Sequence, residues 1–476
     1  MHRKFLLNII FLLTVNLLIK PFFIFGIDRG VQNEVGAEAY GLYFTLFNFS
    51  SLFQIIVDFG IQNFNTRNIA QHHQLLDKYF SHLSLLKTLL SVAYGVLVMA
   101  VAWVLGYDTN ALLLLFGIVL NQILLSFILF LRSNISGLQN YFTDSLVSVL
   151  DRLLLIFVCG GLLWYNPFAE PFQIAWFVWA QTLVYALTAL VAFGIVWRHL
   201  RTFRWRWNAA FQWSLLRGSL PYALTFFLMS VYTRIDTVMI ERLLPNGAHE
   251  AGLYASAYRL LDASNLLGFL FAGLLMPMFA KLLQEKTPVL PLVRLSFQAI
   301  WVAGTTLAAA SFVFRTPIMQ LLYPAADAYS GDLLGWLMLS FPSLCAMYIF
   351  GSLLSSSNTM RPTNMLYGAG VVLNIVLNIV LIPRFHALGA AWATLFTQIL
   401  IAVGLVWLCY RTFSWRLDVV FVLKILAFFV LNGILFYTIN IYTPFLFYYK
   451  IIIGGFAALC LAFSLRLLDI QNWKTF

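Results

Sequence analysis

Along the chain, stretches of about twenty mostly apolar residues alternate with short polar turns, and this alternation recurs fourteen times. The stretches run roughly 5–27, 41–62, 83–106, 111–131, 146–165, 172–197, 218–240, 251–275, 292–314, 332–354, 364–383, 387–410, 418–440 and 444–467. As helices rising about 1.5 Å per residue, they are long enough to cross the ~30 Å hydrocarbon core of a bilayer. No connection exceeds about twenty residues, which leaves no room for a folded soluble domain. The pattern predicts an all-α integral membrane protein of about 14 transmembrane helices.

The chain also restarts itself. Gly36-Ala37 with Gly41-Leu42-Tyr43 returns as Gly247-Ala248 with Gly252-Leu253-Tyr254, at a constant offset of 211. Both copies follow an outward-going helix, so the repeat is parallel, and an axis along the membrane normal is expected to relate two six-helix lobes. The predicted organisation is an N-terminal lobe over 1–197, an amphipathic connector over 198–217 and a C-terminal lobe over 218–410. Two additional helices and a tail occupy 411–476.

Composition agrees with the helices. The chain is 62% apolar and 10% charged, against about 25% charged in soluble domains. A net charge of +11 could suggest nucleic acid, but the placement of the charges argues otherwise. With both termini cytoplasmic, about 20 of the 29 Lys and Arg fall on that side. Arg29, Arg242, Arg315, Arg384 and Lys450 fall outside, and Lys20, Arg152, Arg234 and Arg259 fall within the membrane. This is a positive-inside pattern. The densest basic run, Arg198-His199-Leu200-Arg201-Thr202-Phe203-Arg204-Trp205-Arg206-Trp207, is best explained as an amphipathic segment lying on an anionic leaflet. The basic N-terminus, which lacks a small-residue cleavage site, reads as the start of a retained first helix.

Enzymatic chemistry finds no support. There is no Walker A loop, GxSxG, HExxH or calcium-binding loop, and no paired acids lie in the outer loops. Cys159, Cys345, Cys409 and Cys460 lie singly in apolar helices and are expected to be free thiols. His72, His73 and His82 sit in a short polar connector without the supporting ligands of a metal site. Neither a metal nor a cofactor is expected.

The informative residues are ionisable groups at membrane depth, which are costly there and face a protein interior or an aqueous cavity. The cations are Arg234, Arg259, Lys20 and Arg152, with Arg67 and Arg132 at helix ends facing the cytoplasmic entrance. The anions are Asp58, Asp236 and Asp262, candidates for ion coupling or for structural ion pairs. Two readings stay open. Each cation could be held by a carboxylate, Arg152 by Asp151 or Asp144 for example, although adjacent residues point about 100° apart on a helix, which argues against an Asp151–Arg152 pair. Alternatively the cations line a central cavity and neutralise a pyrophosphate, a task suited to the planar, permanently charged guanidinium. Gly26, Pro21, Gly218, Pro221, Pro277 and Gly351 are candidate bending points. Asn374 and Asn378 share one helix face, and Gly389, Ala393 and Thr397 form a small-residue stripe for close helix approach.

Taken in order, several motifs resemble one family. They are GAxxxGLY after the first helix and Asp58-Phe59-Gly60 with Thr66-Arg67 after the second. Leu373-Asn374-Ile375, Leu377-Asn378, Ile382-Pro383, Leu388-Gly389-Ala390-Ala391 and Ala393-Thr394 follow in the C-terminal half. The chain resembles the Wzx-type polysaccharide-biosynthesis flippases of the multidrug/oligosaccharidyl-lipid/polysaccharide (MOP) superfamily over essentially its whole length. The resemblance implies a MATE-like fold in the bacterial cytoplasmic (inner) membrane. It implies transport of an undecaprenyl-pyrophosphate-linked oligosaccharide, of the O-antigen, lipopolysaccharide or capsule kind, by alternating access around a cationic cavity. It carries over no established ligand residue. The expected partners are that lipid-linked oligosaccharide, membrane lipids and other polysaccharide-assembly proteins, with no nucleic acid and no need for more than a monomer. A lipid II flippase or a cation-coupled drug exporter of the same superfamily is the nearest alternative, and a polytopic polymerase or ligase the more distant one.

Overall fold

The computed structural model describes residues 18–62, 65–66, 69, 74, 76–165, 170–205, 207–357 and 359–468. Arg67, His72, His73 and the first part of the predicted first helix lie outside these residues. The protein is all-helical, with no strand among the described residues. The helices are α1 (Arg29–Leu52), α2 (Gln54–Asp58), α3 (Leu76–Val104), α4 (Thr109–Gly137), α5 (Tyr141–Gly160), α6 (Ile174–Trp197), α7 (Ala209–Leu243), α8 (Gly247–Gln284), α9 (Leu290–Val313), α10 (Arg315–Leu322), α11 (Ala328–Leu339), α12 (Phe341–Ser356), α13 (Met360–Thr412), α14 (Val419–Tyr442) and α15 (Phe447–Ser464). Among the described residues, 10 helices are long and apolar enough to cross a membrane. α1 and α8, which carry much of the polar sequence, are not among them. The chain is a multi-pass membrane protein.

The first two predicted spans are separated by a single residue rather than an outer loop. A π-helical turn over Phe23–Asp28 runs directly into α1, so Asp28, one residue past the first predicted span, is buried in a helix. The break comes at Gly36, with φ 81° and ψ 169°, a conformation that only glycine adopts without strain. α13 holds a similar break at His386 (φ 55°, ψ −140°). Gly389 there lies against the Leu381–Ile382 backbone. In a continuous helix those positions would stand about 12 Å apart, so the chain doubles back at His386, and the Gly389 position lets the two arms of α13 touch. The other candidate bending points are less evident, since α7 and α8 stay helical through Gly218, Pro221 and Pro277.

Two compact units divide the chain, Met1–Glu241 and Arg242–Phe476. In the first, α4 packs against both α1 and α6, and α1 also meets α6. In the second, α12 packs against α8 and α13, and α8 also meets α13. The repeated GLY motif serves these triangles. The Tyr43 hydroxyl accepts a hydrogen bond from Gln181 Nε2 on α6 at 3.1 Å, while the Tyr254 hydroxyl lies 3.5 Å from Thr394 Oγ1 on α13. Each tyrosine is buried, and burial of a phenol requires such a partner. At one end of the first unit, Phe80 stacks on Phe130 (5.6 Å) amid Leu83, Leu131, Ile135 and Val196.

Polar side chains in the second unit hold the α13 reversal in place. Glu250 Oε2, in the first turn of α8, accepts from Tyr329 Oη (2.7 Å) and from the Ala387 amide (3.2 Å). That amide begins the second arm of α13, where it has no partner within its own helix. Nearby, Asp327 caps α11 through the Ser330 amide and hydroxyl (both 2.9 Å), and these bonds hold its carboxyl below the usual carboxylate range. In contrast, α14 and α15 are only 22% and 17% buried over their apolar windows, so nearly their whole surface is suited to lipid. Cys159, Cys345, Cys409 and Cys460 are free thiols.

A Cβ at residue 389 would overlap backbone atoms that cannot rotate away. Gly389→Ala is therefore expected to cost about 1–3 kcal/mol and to lower the thermal unfolding midpoint in detergent. Gly368→Ala, on the same helix with nothing within 4 Å, is expected to leave the midpoint unchanged or raise it.

Candidate functional site

In the first unit, α7 is joined to α1 by uncharged polar groups. Asn48, buried on α1, donates from Nδ2 to Thr237 Oγ1 at 3.1 Å and accepts at Oδ1 from Arg234 Nη1 at 3.3 Å. One turn along, Ser230 Oγ donates to the Ser51 carbonyl at 3.4 Å, and Ser51 Oγ accepts from Gln122 Nε2 at 3.2 Å. A neutral amide thus helps to orient the half-buried Arg234 guanidinium. Asp236 is buried two positions on, about 200° around the helix from Arg234.

A second group of cations gathers where α5 meets the segment before α1. Arg152 donates from Nη1 to Tyr185 Oη on α6 at 3.1 Å, and its guanidinium lies 4.7 Å over the Phe23 ring. Its Nε stands 3.8 Å from Asp151 Oδ2, so the adjacent residues do meet, contrary to the helical-angle expectation, because the long arginine stem folds back along the helix. Asp144, the other candidate partner, is taken by Arg132 through two bonds, Nε–Oδ1 at 2.8 Å and Nη2–Oδ2 at 3.3 Å. Lys20 is half-buried within electrostatic reach of Arg152, Arg132 and Asp151. Among the described residues, no hydrogen bond or ion pair involves its ammonium. Three cations therefore converge on two carboxylates.

Lys87 was missed by the sequence reading. It lies within the predicted third span, yet the charge count left it with the cytoplasmic group. The structure buries it completely on α3, with Nζ donating to the Val57 carbonyl at 2.8 Å and to Asp58 Oδ1 at 3.5 Å. Asp58 also accepts from Gln62 Nε2 at 3.0 Å. Just beyond, Phe59 (φ 44°) and Gly60 (φ 75°) turn the backbone left-handed and end α2. The ammonium thus satisfies a carbonyl orphaned by the helix break as well as a carboxylate, which makes Asp58 part of a structural ion pair. Only its position in an apolar span could have signalled Lys87; nothing in its immediate sequence does.

In the second unit, Arg259 and Asp262 are half-buried on α8. Because Arg234 belongs to the first unit and Arg259 to the second, the structure describes each in its own surroundings. Asn374 and Asn378 are fully buried, with Asn378 Nδ2 donating to Asn374 Oδ1 at 3.1 Å. Gly389, Ala393 and Thr397 are buried as the stripe predicted. Among the described residues, no group of three metal-ligating side chains occurs.

These elements are those of a known family. A sequence profile described as "polysaccharide biosynthesis protein" matches residues 5–283, more than half of the chain. The chain belongs to that family. Among curated proteins, it is 23% identical over 389 residues to the uncharacterized membrane protein YabM of Bacillus subtilis (strain 168), covering 76% of this chain and 72% of that one. Among solved structures, it is similar to the lipid II flippase MurJ in an inward closed conformation. That likeness has a TM-score of 0.74 at 14% identity and covers 97% of this chain and 99% of MurJ. It is also similar to an inward-facing MATE family multidrug resistance transporter of the MOP superfamily (TM-score 0.61, 15% identity, 82% and 94% coverage). This polysaccharide biosynthesis protein therefore has the MOP fold expected from its motifs, and both of those solved proteins are transporters rather than enzymes.

Removing Asp58 would leave the Lys87 ammonium inside the protein without its counterion. Asp58→Ala is expected to be destabilising, though by less than the ~3–5 kcal/mol of a fully buried pair, because Asp58 is 33% exposed. Adding Lys87→Met to that variant should recover part of the loss. A thermal-shift double-mutant cycle in detergent checks this, and a coupling below about 0.5 kcal/mol would show that the pair contributes nothing.

Proposed function

We propose that this polysaccharide biosynthesis protein is a flippase for a lipid-linked oligosaccharide. It would move an undecaprenyl-pyrophosphate-linked repeat unit from the cytoplasmic to the periplasmic leaflet of a bacterial inner membrane by alternating access, with both termini cytoplasmic. The observation that carries the reading is that three cations, Lys20, Arg152 and Arg132, meet only two carboxylates, Asp151 and Asp144, which leaves one positive charge in surplus beside Lys20. Like charges drawn together at membrane depth repel and are costly, and an anionic headgroup would relieve that cost. Arg234, which donates to Asn48 on α1, and the half-buried Arg259 of the second unit are further cations at membrane depth.

The physics of the reaction requires such groups. A sugar pyrophosphate cannot cross hydrocarbon unaided, because its polar groups lose water and gain nothing in return. Arginine and lysine replace the lost water around the phosphates while the polyprenyl tail stays in lipid. The sorting of the cations matters here. Arg132 is forked onto Asp144 and Lys87 is locked to Asp58, so both read as structural. Lys20, Arg152, Arg234 and Arg259 are the groups we assign to the headgroup, from their depth in the membrane. A cation-coupled exporter would need an available carboxylate, and the engagement of Asp58 by Lys87 and Gln62 does not favour that alternative.

The test is translocation by purified protein in liposomes, read as protection of a fluorescent undecaprenyl-pyrophosphate oligosaccharide from an external glycosidase. Lys20→Ala and Arg234→Ala are each expected to slow flipping about tenfold or more, the loss of one charge-assisted contact worth roughly 1.5–3 kcal/mol. Arg132→Gln should act on stability first. Absence of translocation of any pyrophosphate-linked glycan by the well-folded native chain, with drug or cation exchange instead, would overturn the proposal.

A further inference from the structure

The basic connector between α6 and α7 is a built surface rather than a loose loop. Residues 198–217 contain five arginines and three tryptophans and no acidic residue. The chain here is largely non-helical until α7 begins at Ala209. The structure nevertheless fixes it at two points. Asp77, in the first turn of α3, accepts from the amides of Arg201 (3.1 Å) and Thr202 (3.3 Å) and from the Thr202 hydroxyl (3.4 Å). Next to it, Phe203 packs edge-on against Phe80 (5.6 Å) and Trp197 (5.8 Å). The anchors use two backbone amides, the Thr202 hydroxyl and an apolar ring. None uses an arginine head.

Consequently, the side chains of Arg198, Arg201 and Arg204 are exposed, and among the described residues no carboxylate pairs with them. Trp205, Trp207 and Trp213 are exposed as well, at 60%, 58% and 68%. Position explains why such rings can stay uncovered. The apolar span of α6 ends at Trp197 and that of α7 begins at Ala223, so the connector lies where two spans leave the hydrocarbon. Indole rings favour that interface, with an apolar body and a polar N–H. Guanidinium groups there meet phosphodiesters, which they bind as planar forks.

We propose that Arg198, Arg201 and Arg204, with the indoles of Trp205, Trp207 and Trp213, form a docking site for anionic phospholipid headgroups, held in binding shape by the Asp77 clasp. Charge complementarity selects the ligand, since three unpaired guanidinium groups with no acid among them favour a net-negative headgroup over a zwitterionic one. The site is separate from the membrane-depth cations assigned above, and the proposal does not depend on the transported substrate.

Photoreactive phosphatidylglycerol and phosphatidylcholine, each in nanodiscs holding the full chain at about 0.1 M salt, would test it, with labelled peptides mapped by mass spectrometry. Phosphatidylglycerol is expected to label 198–213 several-fold more than phosphatidylcholine. The preference should fall about fivefold for each arginine replaced in Arg198→Gln, Arg201→Gln and Arg204→Gln, and it should fade at high salt. Asp77→Ala should reduce it with every arginine still present. Equal labelling by the two lipids, or a preference surviving the triple substitution in monodisperse protein, would overturn the site, and a preference unchanged by Asp77→Ala would overturn the clasp. Displacement of the label by undecaprenyl pyrophosphate at far lower concentration than by phosphatidylglycerol would also overturn it, in favour of a dock for the substrate.

Discussion

Hydrocarbon offers no hydrogen bonds, so every ionisable or polar group that α-helices carry into it must be satisfied from within the protein. Lys87 shows how strictly this applies. An ammonium at zero exposure is tolerable only because α2 ends beside it, freeing the Val57 carbonyl, and because Asp58 follows. The helix break and the buried cation therefore explain each other. Phe59 and Gly60 open the backbone, and Lys87 closes the electrostatic deficit that the opening creates.

The same constraint shapes the second unit. Reversal of α13 at His386 starts a new helical arm, and the Ala387 amide then needs an acceptor. Glu250 supplies it from α8 and shares the load with Tyr329. In both units, a phenol of the repeated GLY motif reaches a polar group on the last helix of its triangle, Gln181 in one and Thr394 in the other. Polar contacts of this sort fix helix register where apolar packing against lipid-like neighbours gives little direction.

Once those obligations are met, the remaining charge stands out. Arg132 has Asp144 and Arg152 has Tyr185, Phe23 and Asp151, whereas Lys20 shares Asp151 with Arg152 and makes no hydrogen bond or ion pair of its own among the described residues. Arg234 is steered in part by the Asn48 amide. The connector repeats the logic at the surface, where Asp77 spends its charge on backbone amides and leaves the arginine heads available.

The sequence by itself determined the class of fold, because the length and apolarity of a membrane span depend on local composition alone. It also held the repeat at offset 211, the free cysteines and the small-residue contact at Gly389. Motif order was enough to reach the family. Only the tertiary structure decided what each charge does. Asp28 lies one residue past the first predicted span, yet the helix runs on to Gly36 and buries it. Lys87 looked like one more residue of a basic end, yet α2 stops against it. Asp151 and Arg152 looked divergent on a helical wheel, yet a flexible stem joins them. In each case the deciding partner sits on another helix, or depends on a rotamer or a backbone break. Helical periodicity records which face a residue occupies and not what lies opposite it.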